Sequence, residues 1–565
     1  MRKRSRCVHA VYVASATLVA CASSGGDNAG GSDAASDDVT TTIDGATADA
    51  AVGSDGGRDA RGDGSADTGP VDSGYVPVPG CTPTKPPNED PIDPEFLDEN
   101  CDGSDGVLHQ CVFVAADGDD TNSGIRSAPV KTIAQAITTA RDQGKSVCLA
   151  GETFTGAVAM VSGVSLYGGF NEKVSFAFHR ETGTETVLTN AGTVVAATSI
   201  DAETHLEGVS LRASTPTEPG EGAYGVRLSG GSAAFFVRYN FIAVGDGQAG
   251  TAGTKGVDGT AGVNGTDGIA GLSSCATGGR PGAVGVESPC AGGASGNGGR
   301  GGNDDEAGVA GVTPTGGGAG GAGGAKGTTT WGICQPKTDG GDGAPGQPPA
   351  LPGTTGTDAA KGTDRGTLDS VGRFAVSSGQ KGGDGGPGAN GGGGGGAGGR
   401  GPLRTTCNTS DCAPGGGSGG TGGCGGKAGT GGTAGGASIG IGVSAGQLTA
   451  AGNVITTGRG GAGGVGGAGG SGGAPGIGGA GKPKPTSAWT GASGKGGDGA
   501  PGGTGGAGAG GAGGPSACVA LTASVVAPDM ETANTCATGT GGVGGAGGVT
   551  ANKGLDGEAG KSLTF

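Results

Sequence analysis

The chain is poor in the residues that usually build a protein interior. Aromatic residues fill 3% of its 565 positions, with two Trp and three Met, and apolar residues in all make up 33%. A broad core of large side chains is therefore not expected over most of the length. Beyond the amino-terminal stretch, no apolar run is long enough to cross a bilayer as a helix. Basic residues are also short: 34 Lys and Arg face 51 Asp and Glu, a formal charge of −17, which argues against nucleic acid and anionic membrane surfaces as partners. No two Cys stand in a CxxC spacing and only four His occur, so the common zinc frameworks are missing. What the chain does have is 144 Gly, with 28 Pro and 14 Cys.

The opening MRKRSR is basic and the following VHAVYVASATLVA mostly apolar, the pattern of a secretory signal over 1–20. Leu18, Val19 and Ala20 precede Cys21, and the quartet LVAC resembles the bacterial lipobox. The resemblance implies cleavage before Cys21, a lipid on its sulfur and anchorage in a membrane; Ala22 after it implies sorting to the outer membrane or cell surface. Between Ala22 and Gly80 there are eleven Asp, no Glu and only Arg58 and Arg61. Such a run cannot bury enough apolar surface to offset its ordering entropy, so 21–90 is expected to be a disordered, self-repelling tether. The Arg61-Gly62-Asp63 triplet within it reads as a product of composition. Twelve Cys remain besides Cys7 and Cys21, an even number that favours disulfides in an exported chain. The candidates are Cys81, Cys101, Cys111, Cys148, Cys275, Cys290, Cys407, Cys412, Cys518 and Cys536. Near neighbours, Cys275/Cys290, Cys407/Cys412/Cys424 and Cys518/Cys536, suggest local staples, while the connectivity stays open.

The DENCDG stretch carries the first half of a calcium-loop pattern. Asp98, Asn100, Asp102 and Ser104 alternate as candidate ligands for a weak calcium site, and Gly103 stands where such a loop turns sharply. The twelfth position is His109 instead of a bidentate Glu, so a plain Asx-turn is the competing reading.

From about Pro91 the chain reads as folded. Val112 to Ala115 is β-rich, Thr132 and Gln135 form a T-x-x-Q capping box, Ile133, Ile137 and Ala140 share a helical face, and Gly144 ends the helix. Asp119, Asp120, Ser123, Gly124, Pro129, Thr132, Ile133, Ala136, Ala140, Gly151, Phe154, Gly169 and Phe170 together resemble the amino-terminal part of pectate-lyase-like right-handed β-helix proteins. The likeness runs from about Asp93 to Ser214. It implies stacked parallel strands whose first coil is covered by the helix, and implies nothing about activity. The NCDGSDG element is similar to secreted proteins of myxobacterium-like organisms.

Further short strands are expected at 186–188, 193–197, 205–214, 224–228 and 235–244. The 224–247 stretch has a counterpart in 439–460 and a weaker one in 518–527, with Asn240 and Asn453 each just before an apolar pair and expected to stack. The chain then divides into cap and coils (91–247), a glycine-rich excursion (248–436), a returning coil (437–458), a second excursion (459–515) and a last coil with a glycine-rich tail (516–565). Within the excursions the period is three: Gly recurs at nine consecutive third positions from 247 to 271, and 463–479 is a GGX repeat. That is the period of a polyglycine II helix. Ordering one GGX triplet costs about 3–6 kcal/mol of backbone entropy, whereas each backbone hydrogen bond returns only about 0.5–1.5 kcal/mol net. Such tracts are therefore expected either to be disordered or to pack side by side as a slab pinned by the coils. Three GGDG(A/G)PG segments hold Asp342, Asp384 and Asp498 at one place, read as turn formers in preference to calcium ligands. Trp331 and Trp489 are read as packing anchors in preference to sugar-stacking platforms.

The expected fold is all-β, a right-handed parallel β-helix with an amino-terminal capping helix, interrupted by glycine-rich tracts and preceded by a disordered linker. No carboxylate pair stands out on the expected strands, Asp201 and Glu203 reading as turn residues, and the many GxGxxG matches follow from composition. The expected function is a surface-anchored, non-catalytic structural or adhesive lipoprotein, touching a matrix polysaccharide, another surface protein or a further copy of itself. A carbohydrate-binding or carbohydrate-active β-helix is the alternative. No cofactor is expected, calcium apart.

Overall fold

The computed structural model describes residues 78–93, 95–171, 179–180, 183–275, 278–290, 292–329, 337–402, 410–525 and 532–565. The 1–20 signal, Cys21, nearly all of the tether, Trp331 and Cys407 lie outside them. Strands dominate, and they lie in two large parallel sheets. One runs through Cys111–Val114, Ser146–Ala150, Leu166–Asn171, Thr204–Glu207, Ala223–Arg238, Ser438–Ala451, Ser516–Leu521 and Ala559–Thr564. The other runs through Thr153–Thr155, Val187–Ala191, Ser210–Ser214, Phe241–Val244, Val454–Thr457 and Thr535–Ala537. From Thr204 onward the chain visits the two sheets alternately, so like residues stack on like. Leu188 pairs with Leu211, Leu211 with Ile242 and Ile242 with Ile455; in the first sheet Val226 pairs with Ile441 and Ile441 with Val519. All of these belong to one buried cluster. Parallel strands buried in this way demand β-branched and Leu side chains, each contributing about 1.5–3 kcal/mol when fully buried.

The helix Ile133–Gln143 places Ala136, Ile137 and Ala140 in the same cluster as Val112, Val114 and Val147 of the first strands. Gly144 ends it in the left-handed region at φ 66°. Only half of the expected capping box forms. Thr132 Oγ1 accepts from the Gln135 amide at 3.2 Å, but the Thr132 amide goes to Asp120 Oδ1 at 2.8 Å while the Gln135 side chain turns to Thr139. Asp120 also accepts from the Lys131 amide and the Thr132 hydroxyl, and so ties the preceding turn to the helix start.

The long glycine-rich excursions leave and rejoin the sheets at one corner. Val244 and Thr457, the last strand residues before them, are register partners, and so are Ser438 and Ser516, the first after them. Asn240 and Asn453 do stack, and Asn534 extends the row. The Asn453 side-chain oxygen accepts from the Asn240 amide, that of Asn534 from the Asn453 amide, and that of Asn240 from the Val209 amide, each at 3.0 Å. Their NH2 groups donate to the carbonyls of Leu206, Val237 and Ala450.

The described parts of the excursions contain almost no regular strand, yet they pack tightly. Every backbone N–H and C=O from Gly391 to Gly399 is hydrogen-bonded, at 2.7–3.1 Å. Gly391, Gly394 and Ala397 donate to Gly420, Gly417 and Pro414; Gly392, Gly395 and Gly398 donate to Gln347, Ala344 and Gly341; Gly393, Gly396 and Gly399 donate to Val312, Val309 and Glu306. The carbonyls of the same residues, taken in the same threes, accept from Gly296–Gly299–Gly302, from Gly497–Gly494–Gly491 and from Gly321–Gly324–Gly327. One extended segment thus has six neighbours, and its donors rotate among three of them with period three. A Cβ on any glycine from 391 to 399 would fall onto a neighbouring carbonyl, which is why this enclosed stretch reads GGGGGGAGG.

Two disulfides reach across this body. Cys275 bonds Cys412 and Cys290 bonds Cys424, with Cα separations of 6.0 and 5.3 Å. Neither Cys275 with Cys290 nor Cys412 with Cys424 forms the local staple suggested, because laterally packed tracts align residues far apart in sequence, whereas Cys518 and Cys536 do pair locally. Cys81–Cys101, Cys111–Cys148 and Cys518–Cys536 complete the bonds among the described residues.

Candidate functional sites

The residues most able to do chemistry lie on the outer face of the first sheet, where the register fixes their order. Tyr167 pairs with Glu207 and Glu207 with Arg238 on successive strands, while His205 pairs with Phe236. Alternation along the 204–207 strand points Thr204 and Leu206 inward and His205 and Glu207 outward. Glu207 is nevertheless buried, because the 85–110 segment folds over this face. Together they enclose a cavity of about 480 Å³ lined by Tyr167, Phe170, His205, Glu207, Arg238 and Tyr239 on one side and by Lys85, Asn88 and Glu89 on the other.

His205 is held at both nitrogens. Nδ1 lies 2.8 Å from Glu207 Oε1 and Nε2 lies 3.1 Å from Glu203 Oε1, and the ring stacks on Phe236 at 4.6 Å and 17°. Burial works against charge on the imidazole, but the hydrogen bonds and charges of Glu207 and Glu203 outweigh it and raise its pKa. His205 thus sits between two carboxylates that favour its charged form. Arg238 lies over the other aromatic of the group, Phe236, at 4.2 Å, and its Nη1 is 4.0 Å from Glu207. Burial and the Glu207 charge push the Tyr167 hydroxyl well above its ordinary range, so it serves as a neutral hydrogen-bonding group. Aromatic faces beside fixed charged donors and acceptors suit a polar, ring-bearing ligand. Sequence reading missed this group. Glu203, read as a turn residue, reaches the His205 ring, while Asp201 does hold a turn, its Oδ1 accepting from the Ser232 amide and hydroxyl. The x-His-x-Glu alternation inside a strand was the signal that could have found it.

The calcium candidates come together only in part. Asp98 and Asp102 place carboxylate oxygens within 4.8 Å of each other and of Asp90, which sequence reading did not include. Asn100 and Ser104 are engaged otherwise: the Asn100 oxygen accepts from the Asp102 amide, and Ser104 Oγ donates to the Asp105 carbonyl and accepts from the Arg180 amide. Asp98 accepts from the Asp102 and Gly103 amides, and Asp102 from those of Ser104 and Leu108, so the segment is an Asx-type turn held by Cys81–Cys101. Three carboxylate oxygens are a hard donor set, about half of the six to eight that calcium takes. They fit a weak site, within a turn whose carboxylates also accept backbone amides. Burial, with a hydrogen bond to Glu99 and the charges of Asp105 and Asp102, pushes Asp90 up to about 9. Burial likewise lifts Asp105 to about 7 against the pull of its ion-pair partner Arg180.

Asp342, Asp384 and Asp498 are not turn formers. Each reaches sideways to accept a backbone amide of the next tract, from Ala492, Ala428 and Gly478 at 2.7–2.8 Å. Asp258, Asn264, Asp267 and Asp358 do the same for Ser471, Ile477, Ala480 and Ala507. A side-chain oxygen thereby replaces the carbonyl of a missing neighbour at the margin of the packed body. Trp489 is 41% exposed, so its ring is not the buried anchor expected; its backbone is what is held, the amide by Asp411 and the carbonyl by Gly340.

Among the described residues no helix is long and apolar enough to cross a membrane. Comparison of the chain with family models, with curated proteins and with solved structures gives no match.

Proposed function

We propose that the protein is a surface-anchored, non-catalytic structural or adhesive lipoprotein: a right-handed parallel β-helix carrying a slab of polyglycine II tracts, held off a membrane by the acidic tether and a lipid on Cys21. The observation that carries the structural reading is the six-neighbour packing of residues 391–399, where all backbone groups are spent on lateral cohesion. An arrangement of that kind makes a stiff body with a large outer surface. The alternation of the chain between two parallel sheets, with matched exits for the excursions, supports the β-helix. Limited proteolysis with mass mapping tests the reading. The slab should survive as large fragments joined by Cys275–Cys412 and Cys290–Cys424, and rapid cutting throughout 247–515 would defeat it. The anchor is tested by Cys21→Ser, which should move the protein from the membrane to the soluble fraction.

The cavity over Tyr167, His205 and Glu207 favours a second reading, that the adhesive partner is a carbohydrate bound there. Glucan, galacturonan and chitin oligosaccharides titrated against the protein should bind, and His205→Ala should weaken binding tenfold or more. Glu207, the carboxylate that the sheet presents to the cavity, is committed to His205, which favours binding over catalysis. Release of reducing ends from any of these polymers would overturn the non-catalytic reading.

A further inference from the structure

The slab has one face that differs from the rest of this acidic surface. In the 459–480 tract, Ala462, Val465, Ala468, Ser471, Ala474 and Ile477 form a row of exposed side chains at every third position. Val465 and Ile477 are 48% and 58% exposed although their neighbours along the row are small, so both are contacts of this face and neither serves as a neutral control for it. No charge occurs between Arg459 and Lys482. The flanking 247–271 tract runs alongside, with the amides of Gly247, Gly250, Gly253 and so on to Gly268 donating to carbonyls from Arg459 to Ala480. Its own outer row supplies Asp258, Asn264 and Asp267, whose side chains occupy the amides of Ser471, Ile477 and Ala480. The charges of that flank cancel locally: Lys255 pairs with Asp258 and Lys482 with Asp267, each at 2.9 Å. On the other flank, Val543, 62% exposed, continues the apolar surface from a tract whose carbonyl accepts from Gly463.

We propose that this face is a self-association surface, on which a second copy of the same chain docks slab to slab. Three observations select that occupant. A chain of formal charge −17 repels its copies over most of its surface, and this self-neutralised, apolar face is where two copies meet without that penalty. The rows repeat every three residues, about 9 Å, and a second slab offers the same spacing, so the side chains of one row enter the gaps of the other. The row is about 47 Å long from Ala462 to Ile477, and with a flanking tract about 5 Å away on each side the face presents roughly 700 Å² per copy, the size that a stable interface needs. The proposal rests on the ordered slab of the preceding section and is independent of the lipid and of the cavity.

Sedimentation velocity on the full exported chain carrying Cys21→Ser, from about 1 to 100 µM, tests it. A reversible dimer is expected, and Val465→Asp with Ile477→Asp should weaken it at least tenfold. Val257→Asp, placed on a different row at 72% exposure, should leave it unchanged. Proteolytic fragment maps of the variants must match the parent, since these side chains point outward. A monomer at every concentration, or a dimer indifferent to the paired substitution, overturns the self-association while leaving a protease-resistant slab, and with it the structural reading, intact. Rapid proteolysis of the parent slab overturns both.

Discussion

At the scale of single residues, two substitutions expose opposite kinds of constraint. A Cβ built on Gly394 falls onto the carbonyl of Gly494, and no flexible side chain lies there to yield. Gly394→Ala should therefore force two tracts apart and cost at least about 1–3 kcal/mol, as overpacking does in cores, visible as a lower unfolding temperature and new cleavage within 378–402. Val257→Ala, on an exposed row away from the self-association face, should leave both unchanged. Asp90 is constrained by charge instead. Its folded pKa, raised to about 9, lies far above the unfolded value, so the native state holds a proton that the unfolded chain releases. The stability this contributes is complete below about pH 4 and is lost as pH rises toward about 9. In metal-free buffer, denaturant midpoints should fall over that range, and Asp90→Asn, which keeps the hydrogen-bonding shape without the ionisation, should flatten the fall. An unchanged slope in the variant would assign the effect elsewhere, Asp105 being the next group to examine.

At the scale of elements, the asparagine row shows how a polar ladder fixes the turns between the two sheets. Each side chain receives one turn's amide and donates to another strand's carbonyl, so removing one member strands groups on both sides. Asn453→Ala leaves the Asn240 amide and the Val237 carbonyl buried without partners, at about 1–3 kcal/mol for each group. The urea midpoint should drop accordingly, and Asn453→Asp should restore part of it by keeping the acceptor. This row was half legible in sequence, because Asn240 and Asn453 precede similar apolar pairs, whereas Asn534 sits in a stretch with no such echo. The helix over 133–143 was legible for the same local reason: Thr132, the spacing of Ala136, Ile137 and Ala140, and Gly144 are all short-range signals. Non-local features were not. Nothing near Cys275 reveals Cys412, nothing near Asp384 reveals the Ala428 amide it caps, and the cavity over His205 exists only because a segment about a hundred residues earlier folds across the sheet. The GGDG repeat announced a shared role, but the role depends on where tracts end laterally, which period alone does not state.

At the scale of the whole molecule, the packed tracts behave as a lattice with a phase. A segment such as 391–399 sends successive amides in three directions, and position modulo three decides which neighbour each residue meets. Glycine stands wherever a carbonyl approaches, while Thr, Asp, Val and Lys stand on the outward rows. Deleting Gly394 alone shifts every later residue by one direction, turning Ala397 and Arg400 toward neighbouring backbones; the fault resembles a one-residue register slip in a sheet, which reverses every side chain. Arg400 is itself buried against Asp304 and Asp411, so its displacement also strands three charges. Deleting Gly394, Gly395 and Gly396 together keeps the phase and moves the remainder by one whole repeat, at the cost of the bonds those residues made and of the Arg400 contacts. The single deletion should therefore abolish the protease-resistant slab, and the triple deletion should retain it with a lowered unfolding temperature, although it removes more protein. Equal damage from the two, measured by fragment mapping on the same preparation, would show that the tracts cohere without phase and that their composition, not their period, holds the body together.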